Sequence, residues 1–195
     1  MTKSERTRQF IIEQSATLFN TRGLAGTAMS DVMEVTKMAK GGLYGHFGSK
    51  EVLSLAVVDY NLKKLVASVD RAITAEETFK SKLIAFIEVF RNPLHFPVEG
   101  GCPLLNFGTE ADDTNQAVKN KLKSVIEKAQ KKCQTLIHQG IKNGEFKKTF
   151  DAREFSIIMM SLMEGGTLIG RVLQTNSQMA VIQKMLKREI EANSN

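Results

Sequence analysis

Cysteine is scarce in this chain: the two thiols, Cys102 and Cys133, are too few and too far apart to staple a secreted framework. A sequence of 195 residues can bury a hydrophobic core without such staples, so the scarcity suits a reducing compartment. Cys102 has no lysine or arginine beside it to lower its pKa, and it reads as an ordinary thiol, not a redox sensor. Long apolar runs are missing as well. The opening residues are polar and charged, and no interior stretch reads as a membrane span, which predicts a cytoplasmic protein without a membrane partner. Strand-like alternation of β-branched residues hardly occurs, which argues against β-rich folds. Histidine is sparse: His46, His95 and His138 fall in different elements, none with a Cys, Asp or Glu at metal-ligand spacing. No nucleophile elbow occurs, and the glycines of residues 42–50 have the wrong spacing for a phosphate loop. The expectation is a protein with no catalytic residues, no metal and no cofactor.

What is present is helical punctuation, and it predicts an all-α chain of nine helices. Thr2 and Glu5 spell a capping box for the first, which carries Ile11, Ile12, Ala16 and Phe19 inward and stops at Gly23. Thr27 is expected to cap a short second helix, followed by a tight turn near Lys37 and a third helix over residues 40–47. Ser49 caps a long fourth helix bearing Leu53, Val57, Leu62, Leu65 and Val69. The fifth is expected to start at Thr74, with Glu77 as its box partner, and to end through Pro93 and Pro97. Residues 91–103, which hold all three prolines, read as a loop before a short sixth helix over residues 104–109. Asp151 is expected to cap the eighth helix, and Ser177 or Asn176 the ninth.

The formal net charge of +6 invites a nucleic-acid reading, but the excess of lysine lies in residues 119–148. That stretch is an amphipathic seventh helix with Val118, Leu122, Leu136 and Ile137 on its other side, and its lysines read as a solvated face. DNA binding must come from a motif.

That motif lies in residues 26–53, GTAMSDVMEVTKMAKGGLYGHFGSKEVL. Two short helices joined by a tight turn have the dimensions of a helix-turn-helix. Each alone would be marginal in water, so Val32, Val35, Met38, Leu43 and Phe47 are expected to lock them against the first helix. Phe19, Gly23, Gly26-Thr27, Asp31, Lys40-Gly41, Leu43-Tyr44, His46-Phe47, Ser49-Lys50-Glu51 and Leu53 together resemble the DNA-binding signature of the TetR (tetracycline repressor) family of bacterial regulators. The resemblance covers about the first quarter of the chain.

By position, the resemblance implies that Thr27, Tyr44, His46 and Lys50 contact phosphates, and that the front of the third helix reads bases. Hydroxyls, an imidazole, an ammonium group and open helix N-terminal amides suit phosphate oxygens. Lys40 can reach guanine O6 or N7, and Gly41 and Gly42 let the backbone approach base edges. The chain departs from the family pattern at Ala39, where a small capping residue is usual, at Lys37, where a glycine is usual, and at Gly45, where a larger side chain is usual. With glycine at 41, 42 and 45, the recognition helix is expected to fray alone and firm up on DNA.

The resemblance further implies two domains, residues 1–53 for DNA binding and 54–195 for ligand binding and dimerisation, with the boundary inside the fourth helix. Helices eight and nine carry broad apolar stripes, and Gly165, Gly166 and Gly170 admit close backbone approach, which fits a two-fold homodimer on a palindromic operator. An unidentified small-molecule effector is expected among the central helices, with Phe86, Phe90, Phe107, Met159 and Met163 as walls and His95 and Asn106 as polar groups. Repression released by ligand is the family's default.

Overall fold

The computed structural model describes every residue from Met1 to Asn195. The helices are α1 (Lys3–Gly26), α2 (Met29–Thr36), α3 (Lys40–Phe47), α4 (Lys50–Thr74), α5 (Phe79–Glu88), α6 (Pro103–Ala111), α7 (Gln116–Lys142), α8 (Ala152–Val172) and α9 (Ser177–Ala192). Nine helices were expected and nine are found; the non-helical pairing is one isolated bridge between Phe146 and Ser194.

The chain divides into two compact units, Met1–Leu65 with Pro97–Leu122, and Val66–Phe96 with Lys123–Asn195. This division differs from the boundary expected at residue 53, because α6 packs on α1 and joins the N-terminal unit. Both α4 and α7 run from one unit into the other.

In the first unit, α1 starts at the expected capping box: the Thr2 amide donates to Glu5 Oε2 at 2.7 Å and the Glu5 amide to Thr2 Oγ1 at 3.2 Å. Ile11, Ala16, Leu18 and Phe19 are buried along its inner face, with Val32 of α2, Leu43 and Phe47 of α3, and Leu53, Val57 and Val58 of α4. Each such side chain withdrawn from water contributes about 1.5–3 kcal/mol, which is what holds two helices too short to persist alone. Val35, expected inside, is instead exposed: the inner stripe of α2 is Val32 and Thr36, one turn apart, and Val35 falls off it. Asn61 of α4 is fully buried and its amide donates to the Ala16 carbonyl at 3.0 Å, tying α4 to α1.

The second unit has an aromatic spine. Phe146, Phe150 and Phe155 stack edge to face with centroids 5.4 and 5.2 Å apart. Asp151 caps α8 as expected, accepting the Glu154 amide at 2.9 Å. Helix α9 packs on α8 across Gly166, where a Cβ would stand 2.5 Å from Ile182 Cδ1, so that close approach needs glycine. Gln183 donates to the Ile87 carbonyl at 2.9 Å and Lys187 pairs with Glu88, joining α9 to α5. Lys119, Lys123, Lys128 and Lys131 of α7 are exposed, as expected of a solvated face, but Lys121 and Lys132 are half-buried and pair with Asp59 and Asp70 of α4.

Both ends of α5 differ from the expectation. Helix α5 is capped by Thr78, whose hydroxyl accepts the Ser81 amide at 3.0 Å; Thr74 instead ends α4, because the apolar stripe of α4 continues to that point. Helix α5 also ends at Glu88, before Pro93 or Pro97 can act on it. At α9, Asn176 takes the cap position as expected, and Thr175 supplies the side-chain oxygen, accepting the Ser177 amide at 3.2 Å. By length and hydropathy, α8 could cross a membrane, although no interior run was expected to. Its apolarity has another use, since Phe155, Met159, Met160 and Met163 lie in the core.

Candidate nucleic-acid interface

The helix-turn-helix is assembled from local devices. Thr27 does not cap α2, and its hydroxyl is not open to a phosphate as expected: it is fully buried and donates to the Gly23 carbonyl at 2.7 Å, so Ala28 takes the cap position. The Ala28 amide donates to Asp31 Oδ2 at 2.8 Å, and the other oxygen of Asp31 pairs with Arg22 at 3.1 Å. Asp31 therefore orients the start of α2 and ties it to α1. The turn closes at Lys37, φ 55° and ψ 29°, a left-handed conformation that explains why glycine is usual there and that lysine holds at a steric cost. Ala39 begins α3 without a side-chain cap, and the first amides to close on it are those of Gly42 and Leu43. The amides before them, Lys40 and Gly41, are the ones an anion would meet.

Helix α3 spans the predicted residues. Leu43 and Phe47 face the core, while Lys40, Gly41, Gly42, Tyr44 and Gly45 are exposed. Lys40 Nζ stands 5.8 Å from the centroid of the Tyr44 ring, one turn on, so the two side chains stack along the outer face. A Cβ at Gly41 or Gly45 would meet nothing within 4 Å, so that stripe is open.

At the far end sits a residue the sequence reading passed over. Arg8 of α1 donates to the His46 carbonyl at 2.6 Å and lies over the Phe47 ring at 4.2 Å. A cation on the last carbonyls suits the helix dipole and braces α3 against α1. The contact spans thirty-eight residues of chain, and no local pattern announces it. His46 itself is half-buried. Lys50, also half-buried, opens α4 and donates to the Ala25 carbonyl at 3.3 Å. Beside it, the Ser49 hydroxyl and then the backbone amide of Glu51 hold the Glu51 carboxyl below its ordinary value.

The residues expected around an effector are drawn from both units. Phe86, Phe90, Met159 and Met163 are buried in the second unit. His95 is exposed, with its Nδ1 against the Asn92 amide at 2.9 Å. Phe107 and Asn106 belong to the first unit, where the Asn106 amide donates to the Asn20 carbonyl at 2.9 Å and the Gly100 carbonyl at 3.0 Å. The second unit has a cavity of 340 Å³ lined by Phe150, Phe155, Met185, Asp151, Glu154 and Glu189 among others, and a groove of 500 Å³ between the end of α4 and α5. Neither includes a residue expected at the effector site.

A short helix with an open cationic and glycine-rich face, braced behind by a three-helix core, defines a DNA-binding regulator of the helix-turn-helix type. Comparison with known proteins is consistent with that class along the whole chain. Residues 11–57 match the model for bacterial regulatory proteins of the tetR family, and residues 80–186 match the tetracyclin repressor-like C-terminal domain. A TetR transcriptional regulator from Chloroflexus aurantiacus J-10-FL superposes with a TM-score of 0.95 at 35% identity, over 100% of this chain and 98% of that one. A TetR-family regulator from Cytophaga hutchinsonii gives 0.91 at 36%, with the same coverage of 100% and 98%. The HTH-type transcriptional repressor DhaR of Mycobacterium sp. (strain GP1) is 24% identical over 166 residues, 83% of this chain and 80% of the relative. The chain belongs to the TetR family: it is a DNA-binding transcription regulator and not an enzyme.

Proposed function

We propose that this regulator is a cytoplasmic repressor that binds a palindromic operator as a homodimer and is released by a small-molecule effector. The observation that carries the reading is the outer face of α3, where Lys40, Gly41, Tyr44 and Gly45 stand exposed over buried Leu43 and Phe47. In this reading Lys40 reads a base edge, Gly41 and Gly42 bring the backbone close to the groove, and Tyr44, His46 and Lys50 hold phosphates. Thr27 acts from inside, by closing the connector onto Gly23. Residues 1–53 form the DNA-binding module in function, although α6 packs with it.

Dimerisation is supported by the outer faces of α8 and α9, where Leu168, Ile169, Val172, Leu173, Val181 and Met185 are exposed and apolar. For the effector, the buried Phe86, Phe90, Met159 and Met163 favour an apolar or aromatic molecule, with Phe107, Asn106 and His95 as the further groups proposed to meet it. The name of DhaR, a repressor, supports the sign of regulation.

The test is binding to a duplex selected from a random library, titrated with salt. Operator affinity should fall steeply with salt and exceed that for random duplex by at least ~1,000-fold. Lys50→Ala should weaken operator and random duplex alike and flatten the salt slope by about one, while Lys40→Ala should also relax base preference at a defined position. Equal affinity for all duplexes would overturn the proposal.

A further inference from the structure

We propose that Glu110, on α6 and outside the helix-turn-helix, is a positioning residue for operator binding. Helix α1 breaks at Gly23, with φ 78° and ψ 174°, and the break leaves the amides of Leu24 and Ala25 without helical partners. The Glu110 carboxylate takes both: Oε2 accepts from Leu24 at 2.7 Å and Oε1 from Ala25 at 2.6 Å. A Cβ at position 23 would stand 2.7 Å from Glu110 Oε2, so glycine there serves the turn and also leaves room for the carboxylate.

The next peptide group along is held as well. The Ala25 carbonyl accepts from Lys50 Nζ, at the first turn of α4. Just beyond, Thr27 closes on Gly23 and Asp31 takes the Ala28 amide, so residues 23–28 form a stirrup gripped by α1, α2, α4 and α6. Helix α2 starts at Met29, and α3 follows it through the turn at Lys37. The seating of the stirrup therefore sets the seating of the base-reading helix. Position 110 is held in turn by Asn106, one helical turn earlier, whose amide reaches Asn20, while the Asn20 amide donates to the carbonyls of Glu99 at 2.9 Å and Gly101 at 3.0 Å. If Lys50 turns toward a phosphate, as the functional reading above requires, Glu110 is the anchor that remains on the Ala25 peptide. A bidentate carboxylate on two amides makes charge-assisted bonds, stronger than neutral ones, and suits that duty.

Glu110→Gln keeps one acceptor and sets an amide nitrogen against the second N–H; Glu110→Ala loses both. The expected result is a fall in operator affinity of ~10-fold for Glu110→Gln and ~100-fold for Glu110→Ala. Affinity for random duplex and the salt slope should stay near native, because no phosphate contact is lost. In the protein without DNA, the Leu24 and Ala25 amides should exchange at least ~10-fold faster in Glu110→Gln, a local readout that does not depend on whether Glu110→Ala folds. Operator binding within twofold of native in both variants, unchanged exchange at Leu24 and Ala25, or equal losses on operator and random duplex would each overturn the proposal. The native protein measured alongside separates the two readings: if it shows no operator preference, the assignment of α3 has failed, and the role of Glu110 falls with it.

Discussion

Replacing Gly41 and Gly45 together by alanine should separate the folding of α3 from its use. The two positions are one turn apart on the exposed stripe, their φ angles are not in the left-handed region, and a Cβ at either meets nothing within 4 Å. Within the chain nothing opposes the added methyls. Each substitution should stabilise the helix by about 1 kcal/mol through lost unfolded-state freedom. If α3 unfolds with the whole chain, the pair raises the unfolding free energy by up to about 2 kcal/mol and the melting temperature by up to roughly 4–8 °C, and by less the more α3 is frayed beforehand. Held at one protein concentration, a calorimetric scan reads this directly. Operator affinity should move the opposite way, by at least ~10-fold, because the methyls fill the space through which the backbone approaches base edges. Amide exchange supplies the intermediate step: in the native protein without DNA, residues 41–46 should exchange quickly and become protected on operator, and in the double variant they should be protected already. A variant that is more stable yet binds operator as the native protein does would refute the placement of this stripe against the duplex. Strong protection of 41–46 in the native protein without DNA would refute the fraying.

Two further outcomes follow from the second unit. Val172→Glu with Val181→Glu should convert a dimer to monomers in sedimentation and abolish operator binding at nanomolar protein, since charges on a face that loses water on association are costly; a dimer that survives would move the interface elsewhere. Burial pushes the Cys133 thiol from its ordinary 9.0 up to about 12, so it should resist alkylation at pH 8.5 until the chain is unfolded. The folded chain keeps the proton that the unfolded chain releases, so this contribution to stability is whole below pH 9.0 and is lost as pH rises toward about 12; stability that climbs over that window would contradict the assignment.

Much of the candidate interface was legible because its signals are local. The bounds of α3, the inward Leu43 and Phe47, and the caps by Thr2, Ser49 and Asp151 depend on residues within one or two turns of each other. Local logic also misled where two readings competed for one residue. Thr27 and Thr74 both have the chemistry of a cap. Burial turned Thr27 back onto Gly23, and a continuing apolar stripe absorbed Thr74 into α4.

Helix number, the recognition helix and the family itself were determined by sequence alone, since periodicity and short fixed spacings act over a few residues. Tertiary structure decided that Arg8 braces α3, that Glu110 grips the connector after Gly23, and that α6 joins the N-terminal unit. Those contacts join residues from thirty-eight to eighty-six apart in the chain. Which carboxylate finds which pair of amides at such a separation depends on the packing of whole helices, and no local pattern encodes it.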